Sequence, residues 1–407
     1  MTRAPGGGER RHLAALALSL TFCVVGAAAT WMLGDRVAAD AVAHGVALPG
    51  EITHRGLTIQ RAALRRDDAL LLYGSSEIAR QSSFRATEFF SAAPTGFRVI
   101  GVAARGMPLI ITAYNLAALT PELRGRPVAL SISHGFFQHD YKDGEEAPYL
   151  GTFSRLHASR IAFTSEMQPA LRQRVAEQLL ERDSALAGEP LLFRALRGVA
   201  RGTFGERLVV AALLPMGRLQ LATRELQDRL RVIRALGLSA DALNPITPAR
   251  PDWVALRDSA EREARAMSTN NPFGFDDRFW ISFGAVLLQE RGSRNDAEWT
   301  RGIATAEAWE DLDLALDILT SAGARPLLLS FPYKGAYADV QGTTPAGRRV
   351  YYDSLHAHAA RAGVPVRDFA EFERDRWFTR DHTGHPSPKG WIFYDQALDE
   401  FFHAPAP

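Results

Sequence analysis

Cysteine is almost absent from this 407-residue chain: Cys23 stands alone, so no internal disulfide can form and the fold must stand on packing. No Cys/His set has the spacing of a structural zinc site. Surplus charge is missing as well. Lys and Arg total 47 against 46 Asp and Glu, a formal charge of +1. That removes the basic excess which binding to a phosphate backbone normally requires, and nucleic acid is not an expected partner. Low-complexity tracts and repeats at solenoid periods are also lacking. With 46% hydrophobic and 23% charged residues, wholesale disorder is excluded. A chain of this length is expected to divide into two or three units with a sizeable buried core.

One long apolar run is present. Leu13 to Leu33 carries no charge, and as a helix it spans about 30 Å, the thickness of a bilayer core. Arg3, Arg10 and Arg11 precede it and Asp35 follows. The positive-inside bias therefore predicts a cytoplasmic stretch at 1–12, a single-pass anchor in the cell membrane at 13–33, and an extracytoplasmic remainder. A cleavable signal peptide is the competing reading, because the stretch to Val25 has the length of an h-region and Ala27-Ala28-Ala29 offers small residues to a peptidase. The apolar run continues through Trp31-Met32-Leu33, which favours the uncleaved anchor. Bulky Phe22 before Cys23 argues against a lipoprotein site, and Cys23 reads as facing lipid. Residues 34–66 read as a juxtamembrane linker.

Beyond the linker, strand-like and helix-like runs alternate. Short apolar runs bounded by turn residues lie at Ala69–Tyr73, Phe97–Gly101, Val128–Ser133, Arg325–Phe331 and Val364–Asp368. Each is too short for a typical helix and suits a strand buried on both faces. Between them lie helical patterns such as Trp309, Leu312, Leu316 and Leu319 on one face. Together they predict an α/β fold, a flavodoxin-like five-stranded parallel sheet with helices on both faces, built from 67–140 and 302–407. The stretch 141–301 separates the third and fourth strands. Leu171, Val175 and Leu179, and the amphipathic run Leu208 to Leu236, predict a large helical insertion.

Two segments carry chemistry. Leu70-Leu71-Leu72-Tyr73 followed by Gly74-Ser75-Ser76-Glu77 reads as strand, tight turn and helix start, a geometry that exposes a hydroxyl beside unpaired N–H groups. The bland alternative is that Ser75 or Ser76 merely caps the helix, with Glu77 adding negative charge to its first turn. Near the other end, Arg380-Asp381-His382-Thr383-Gly384-His385-Pro386-Ser387-Pro388 is a polar loop running into a helix. A neutral imidazole there can take a serine proton, and a nearby aspartate can orient the ring. Three other readings stay open: a solvated loop, an Asp/His pair capping the last helix, and a metal site of Asp381, His382 and His385, which lacks an identifiable further ligand. His134, His139 and Asp140 follow the third strand, where ligands gather in parallel sheets, and are either pocket residues or ordinary loop polarity.

With both segments in view, the sequence resembles the DltD family, the membrane-anchored proteins of teichoic-acid D-alanylation, themselves a divergent branch of the SGNH/GDSL-type hydrolases. The likeness rests on Gly74-Ser75-Ser76-Glu77 after a strand and on Asp381, His385 and Lys389-Gly390-Trp391. It extends to Asn271-Pro272-Phe273-Gly274 through Phe279-Trp280, similar to the family's NxFG…YW stretch, and to Ser330-Phe331-Pro332 with Gly335. It covers most of the chain, anchor included. The resemblance implies an SGNH-like α/β domain acting on acyl esters. Ser76 aligns with the nucleophile, since a GDSL-type block places it third, and Ser75 is its neighbour in the turn. His385 aligns with the base, four residues before Lys389. The family's acid lies three residues before this His, where His382 stands here; a one-residue insertion restores Asp381, and Asp368 at the end of the fifth strand is the fallback. In the wider superfamily a Gly and an Asn after the second and third strands hold the oxyanion. Gly101 or Gly106 fits the first role, whereas Ser133-His134-Gly135-Phe136 offers no Asn.

The implied function is D-alanyl transfer to teichoic acid or a similar envelope polymer. The implied partners are a polytopic membrane O-acyltransferase, a D-alanyl carrier protein, the polymer itself and membrane lipid around the anchor. No metal or organic cofactor is called for. Two other functions fit the same residues: O-acetyl transfer or hydrolysis on an exopolysaccharide, and a non-catalytic scaffold for the transferase and carrier.

Overall fold

The structure is a computed structural model, which describes residues 7–79, 82, 84–138, 146–164, 166–237 and 250–405. Five strands form one parallel sheet: β1 (Ala69–Gly74), β2 (Arg98–Ala103), β3 (Pro127–Ile132), β4 (Arg325–Ser330) and β5 (Val366–Arg367). Their order is β2-β1-β3-β4-β5. This is the flavodoxin-like order, whose direction of winding reverses between β1 and β3, so a crevice opens there at the carboxyl ends of the strands. Both faces are covered, as the continuous apolar runs require. Leu71, Tyr73, Val128, Leu130 and Leu328 pack with the helices Leu109–Ala118, Ala308–Ser321 and Pro345–Ala362. The alternate residues Leu70, Leu72, Ala129, Leu327 and Leu329 pack on the other side with Phe97, Trp391, Tyr394 and Leu398. Period-two alternation within each strand thus feeds two separate cores.

Between β3 and β4 the described residues fold into successive helices from Glu146–Thr152 to Asp296–Ala304. Leu171, Val175 and Leu179 are buried on one side of the helix Pro169–Glu181, and the run ending at Leu236 belongs to a single helix, Phe204–Leu236. The stretch Asn271–Asp276 crosses back to touch the C-terminal loop, which matters for the site.

The N-terminal apolar run extends further than expected. One unbroken helix spans Gly7–His44, and its apolar length suffices to cross a membrane. Its second half carries a stripe of Val37, Ala38, Ala41 and Val42, all buried in the main core. Residues 34–66 are accordingly not a loose linker. The helix end continues into the short helices Gly50–His54 and Thr58–Leu64, each with buried faces. Asp35 pairs with Arg229 at 2.9 Å, and the Arg229 guanidinium sits 3.6 Å above the Trp31 ring. A Cβ on Gly34 would lie 2.5 Å from Arg229 Cβ, so only glycine permits this close approach. Asp228 accepts the N–H groups of Leu57 and Thr58, both at 2.9 Å, and the Thr58 hydroxyl at 2.6 Å.

Candidate active site

β1 ends on Gly74, and the chain turns through Ser75 into the short helix Ser76–Ala79. Only glycine fits at the end of the strand, because a Cβ on Gly74 would lie 2.4 Å from Glu77 Oε1. Glu77 folds back under the turn, where it accepts the Ser75 N–H at 2.7 Å. Burial raises the Glu77 pKa, opposed by that N–H. The Ser75 hydroxyl donates to Ala104 O at 3.3 Å in the loop after β2. Ser76 is left at the head of the helix with its hydroxyl facing the C-terminal loop.

That loop is organised by Asp381, which is 1% exposed. One carboxylate oxygen accepts the N–H groups of Thr383 and His385 at 3.1 and 3.2 Å and the Thr383 hydroxyl at 2.8 Å. The other accepts from His385 Nδ1 at 2.7 Å. Thr383 Oγ1 lies 2.6 Å from the same Nδ1. With its proton held on Nδ1, the imidazole presents Nε2 as an acceptor, and Nε2 stands 2.9 Å from Ser76 Oγ. A hydroxyl, an imidazole and a carboxylate, the first drawn from a position 309 residues before the second, are thus joined in a line. Such a line can move a proton from the serine to the ring and stabilise the charge that forms there.

The family model for DltD protein matches residues 50–403. The chain belongs to the DltD family. Among curated relatives it is similar to Protein DltD of Bacillus subtilis (strain 168), 26% identical over 350 residues that cover 86% of each sequence. It is also similar to Protein DltD of Staphylococcus aureus (strain NCTC 8325 / PS 47), 22% identical over 350 residues covering 84% of this sequence and 83% of that one.

Segments distant in sequence hold the C-terminal loop in place. Asn271 closes the Asn271–Asp276 stretch on itself, accepting from the N–H of Phe273 and Phe275 and donating to Phe275 O. Gly274 has φ +73°, and a Cβ there would meet Arg376 O at 2.0 Å. Asp276 donates its N–H to Arg380 O and pairs with the Arg380 side chain. Lys334, after β4, is buried and donates to Gly274 O, Arg376 O and Thr379 O at 3.3, 2.6 and 2.5 Å. Burial lowers its pKa to about 7, against the opposing pull of Asp381 and Asp375. Lys389 pairs with Asp375 and Glu261 at 2.6 and 2.8 Å. Gly390 meets Phe378 O so closely that a Cβ would stand 2.3 Å away, and Trp391 fills the second core.

Other expected site residues fall elsewhere. Asp368 does not reach His385: it follows β5, at the far side of the sheet from β1, and bonds His356 Nε2 at 2.8 Å. Gly101 lies inside β2, opposite Leu72, and not in the loop at the end of that strand. Gly106 occupies that loop, exposed and with φ +68°. His134 is buried, stacked on Tyr333 at 4.0 Å between ring centres, and burial lowers its pKa to about 3. His382 turns its ring onto Phe279 at 5.5 Å, away from the Asp381–His385 pair, and no cluster of three potential metal ligands occurs among the described residues. His139 and Asp140 lie outside the described residues. Thr383 and Lys334 were not singled out by sequence reasoning. For Thr383 a signal existed in its position between Asp381 and His385; for Lys334 none did, because its partners are three backbone carbonyls.

Proposed function

We propose that this chain is a membrane-anchored serine acyl-ester transferase or hydrolase of SGNH type, acting in D-alanylation of teichoic acid or a similar envelope polymer. The observation that carries the reading is the contact of Ser76 Oγ with His385 Nε2 at 2.9 Å, backed by Asp381 at 2.7 Å. Ser76 attacks the acyl carbonyl while His385 takes its proton. The leaving alcohol or thiol then receives that proton from His385, and an acceptor hydroxyl or water resolves the acyl-serine by the reverse path. The Ser76 N–H at the helix start, with Gly106 N–H in the loop beside it, stabilises the oxyanion. The N-terminal helix anchors the domain on the extracytoplasmic side, in keeping with Arg10 and Arg11 before the apolar run and Asp35 after it. There it would receive acyl groups from a polytopic O-acyltransferase supplied by a carrier protein.

The test is to offer the purified full-length protein D-alanyl and acetyl esters and to label it with a fluorophosphonate. D-alanyl ester turnover with labelling at Ser76 is expected, both abolished by Ser76→Ala. Turnover of acetyl esters alone would move the reading to polysaccharide O-acetyl chemistry. Envelope modification that persists in cells carrying Ser76→Ala would make the protein a scaffold.

A further inference from the structure

The helix Asp277–Gln289 presents an apolar surface that the described residues leave open. Its stretch Phe279–Gln289 runs eleven residues without a charge, with Ser282 and Gln289 as its polar side chains. Gly284 and Leu287 are buried against the domain and Trp280 is half-buried, in a small cluster with Phe273, Phe275 and Tyr337. On the other side Ile281, Phe283, Val286 and Leu288 are exposed, Ile281 by 77%. A helix apolar all round is ordinarily buried all round, and an apolar patch left outside marks a contact.

The place of that surface says what the contact is. The helix packs on segments that follow the carboxyl ends of strands. Tyr337, after β4, lies 3.3 Å from Leu287 O, and Phe279 stacks on His382 of the catalytic loop. The N-terminal helix Gly7–His44 enters the domain at this same end. Tyr73, near the end of β1, donates to Gln60 Oε1 at 2.7 Å, which sets the start of the helix Thr58–Leu64 beside the carboxyl ends of the strands. Thr58 binds Asp228, and the next residue, Arg229, pairs with Asp35. Ten residues beyond Asp35, Gly45 lies against Ser91, whose carbonyl a Cβ on it would meet at 2.0 Å, in the segment that leads into β2. The helix therefore runs from the carboxyl end of the sheet towards its amino end, and the apolar run before Asp35 projects from the face that carries Ser76.

The next step rests on the proposed reading that this run spans the membrane. The bilayer surface then lies beyond the carboxyl ends of the strands, where the helix Asp277–Gln289 sits. We infer that the exposed face of this helix lies in the boundary between headgroups and acyl chains, as a second lipid contact beside the anchor. Its uncharged stretch is about 16 Å long, too short to cross, and so lies in the plane of the interface. Asp277 and Arg278 balance at one end, Glu290 and Arg291 at the other, so the contact is apolar and does not depend on anionic lipid. A single spanning helix can tilt in the bilayer. A second contact fixes that tilt and, through Phe279 on His382, seats the catalytic loop next to the lipid surface.

Cys23 is the single cysteine and is exposed, so one fluorophore can be placed at a time. The full-length protein in phosphatidylcholine nanodiscs is labelled with an NBD maleimide at Cys23 or, in a Cys23→Ser background, through Ile281→Cys, Val286→Cys or Leu208→Cys. All three positions are exposed, so the substitutions leave the fold intact. Each sample is challenged with doxyl-labelled lipid and with aqueous iodide. Leu208 is the control, apolar and 57% exposed. It lies roughly 30 Å along its own helix from Arg229, away from the lipid, because Asp228 meets Thr58 and Glu225 meets Arg61. Doxyl lipid is expected to quench the labels replacing Ile281 and Val286 at least about twofold, and iodide to quench them little, with or without added phosphatidylglycerol. The label replacing Leu208 is expected to show the reverse. Quenching by lipid at Cys23 reads the anchor separately. With Cys23 quenched and the labels replacing Ile281 and Val286 unquenched by lipid, the anchor stands and the inference is overturned; shielding of those labels from iodide would then assign the face to a second copy of the chain. Absence of lipid quenching at Cys23 removes the anchor and the inference with it.

Discussion

Asp381 holds the His385 ring by accepting from Nδ1 while its other oxygen secures the backbone of the same loop. In Asp381→Asn the amide can still accept from the backbone, but its NH2 faces Nδ1 and drives the ring proton to Nε2, where it blocks the serine. Ester turnover is expected to fall by about 10⁴-fold with the melting temperature little changed, as in serine triads generally. Thr383→Val removes a hydroxyl that lies against both partners, and a smaller loss, roughly tenfold, is expected in kcat. A different single-residue effect concerns His157. It is fully buried, neither ring nitrogen has a hydrogen-bond partner among the described residues, and burial lowers its pKa from 6.5 to about 3. Between those values the ring is protonated in the unfolded state and neutral in the folded one, so stability is present above pH 6.5 and falls as the pH drops towards 3. His157→Phe removes both orphans and the titration. Its melting temperature should exceed the parent's at pH 7.5, by an amount corresponding to roughly 1–3 kcal/mol, and by more at pH 5.

At the level of elements, the strands were legible because a strand buried on both faces must be an unbroken apolar run: each observed strand overlaps its expected position, with ends displaced by at most two residues. The strand–turn–helix at Gly74–Glu77 was legible for the same reason, since Gly and Ser after such a run have few other uses. The bracing of the C-terminal loop was not. Lys334 acts on carbonyls contributed by three separate residues, and carbonyls leave no mark in a sequence. Asp368 was misjudged because nearness to a strand end says nothing about which strand, and β5 is the edge far from β1. Lys334→Met is expected to leave the sheet intact but to speed amide hydrogen exchange across residues 376–385, read by mass spectrometry, with turnover falling alongside. Gly384→Ala acts at the same loop. At φ +84°, and with a Cβ 3.1 Å from His134 Nε2, it should lose about 1–2 kcal/mol of stability and shift His385 enough to lower kcat.

For the molecule as a whole, the boundary between the apolar N-terminal run and the domain is not where composition changes. Charge resumes at Asp35, which suggested that the domain's own fold began well after it; yet Val37, Ala38, Ala41 and Val42 belong to the buried core. Deleting residues 1–33 is expected to yield a folded protein soluble without detergent, whereas deleting 1–45 strips that stripe from the core and should give aggregates in size-exclusion chromatography.

On the proposed reading, this continuity has a mechanical result. A helix that passes from lipid into the core without a joint behaves as a stalk, not a tether. At about 1.5 Å per residue, the run of positions from Gly34 to His44 embeds roughly 16 Å of the helix in the domain, and the pairing of Asp35 with Arg229 resists swivelling about it. The serine then hovers at one altitude above the bilayer, and whatever polymer is to be acylated must thread past that height.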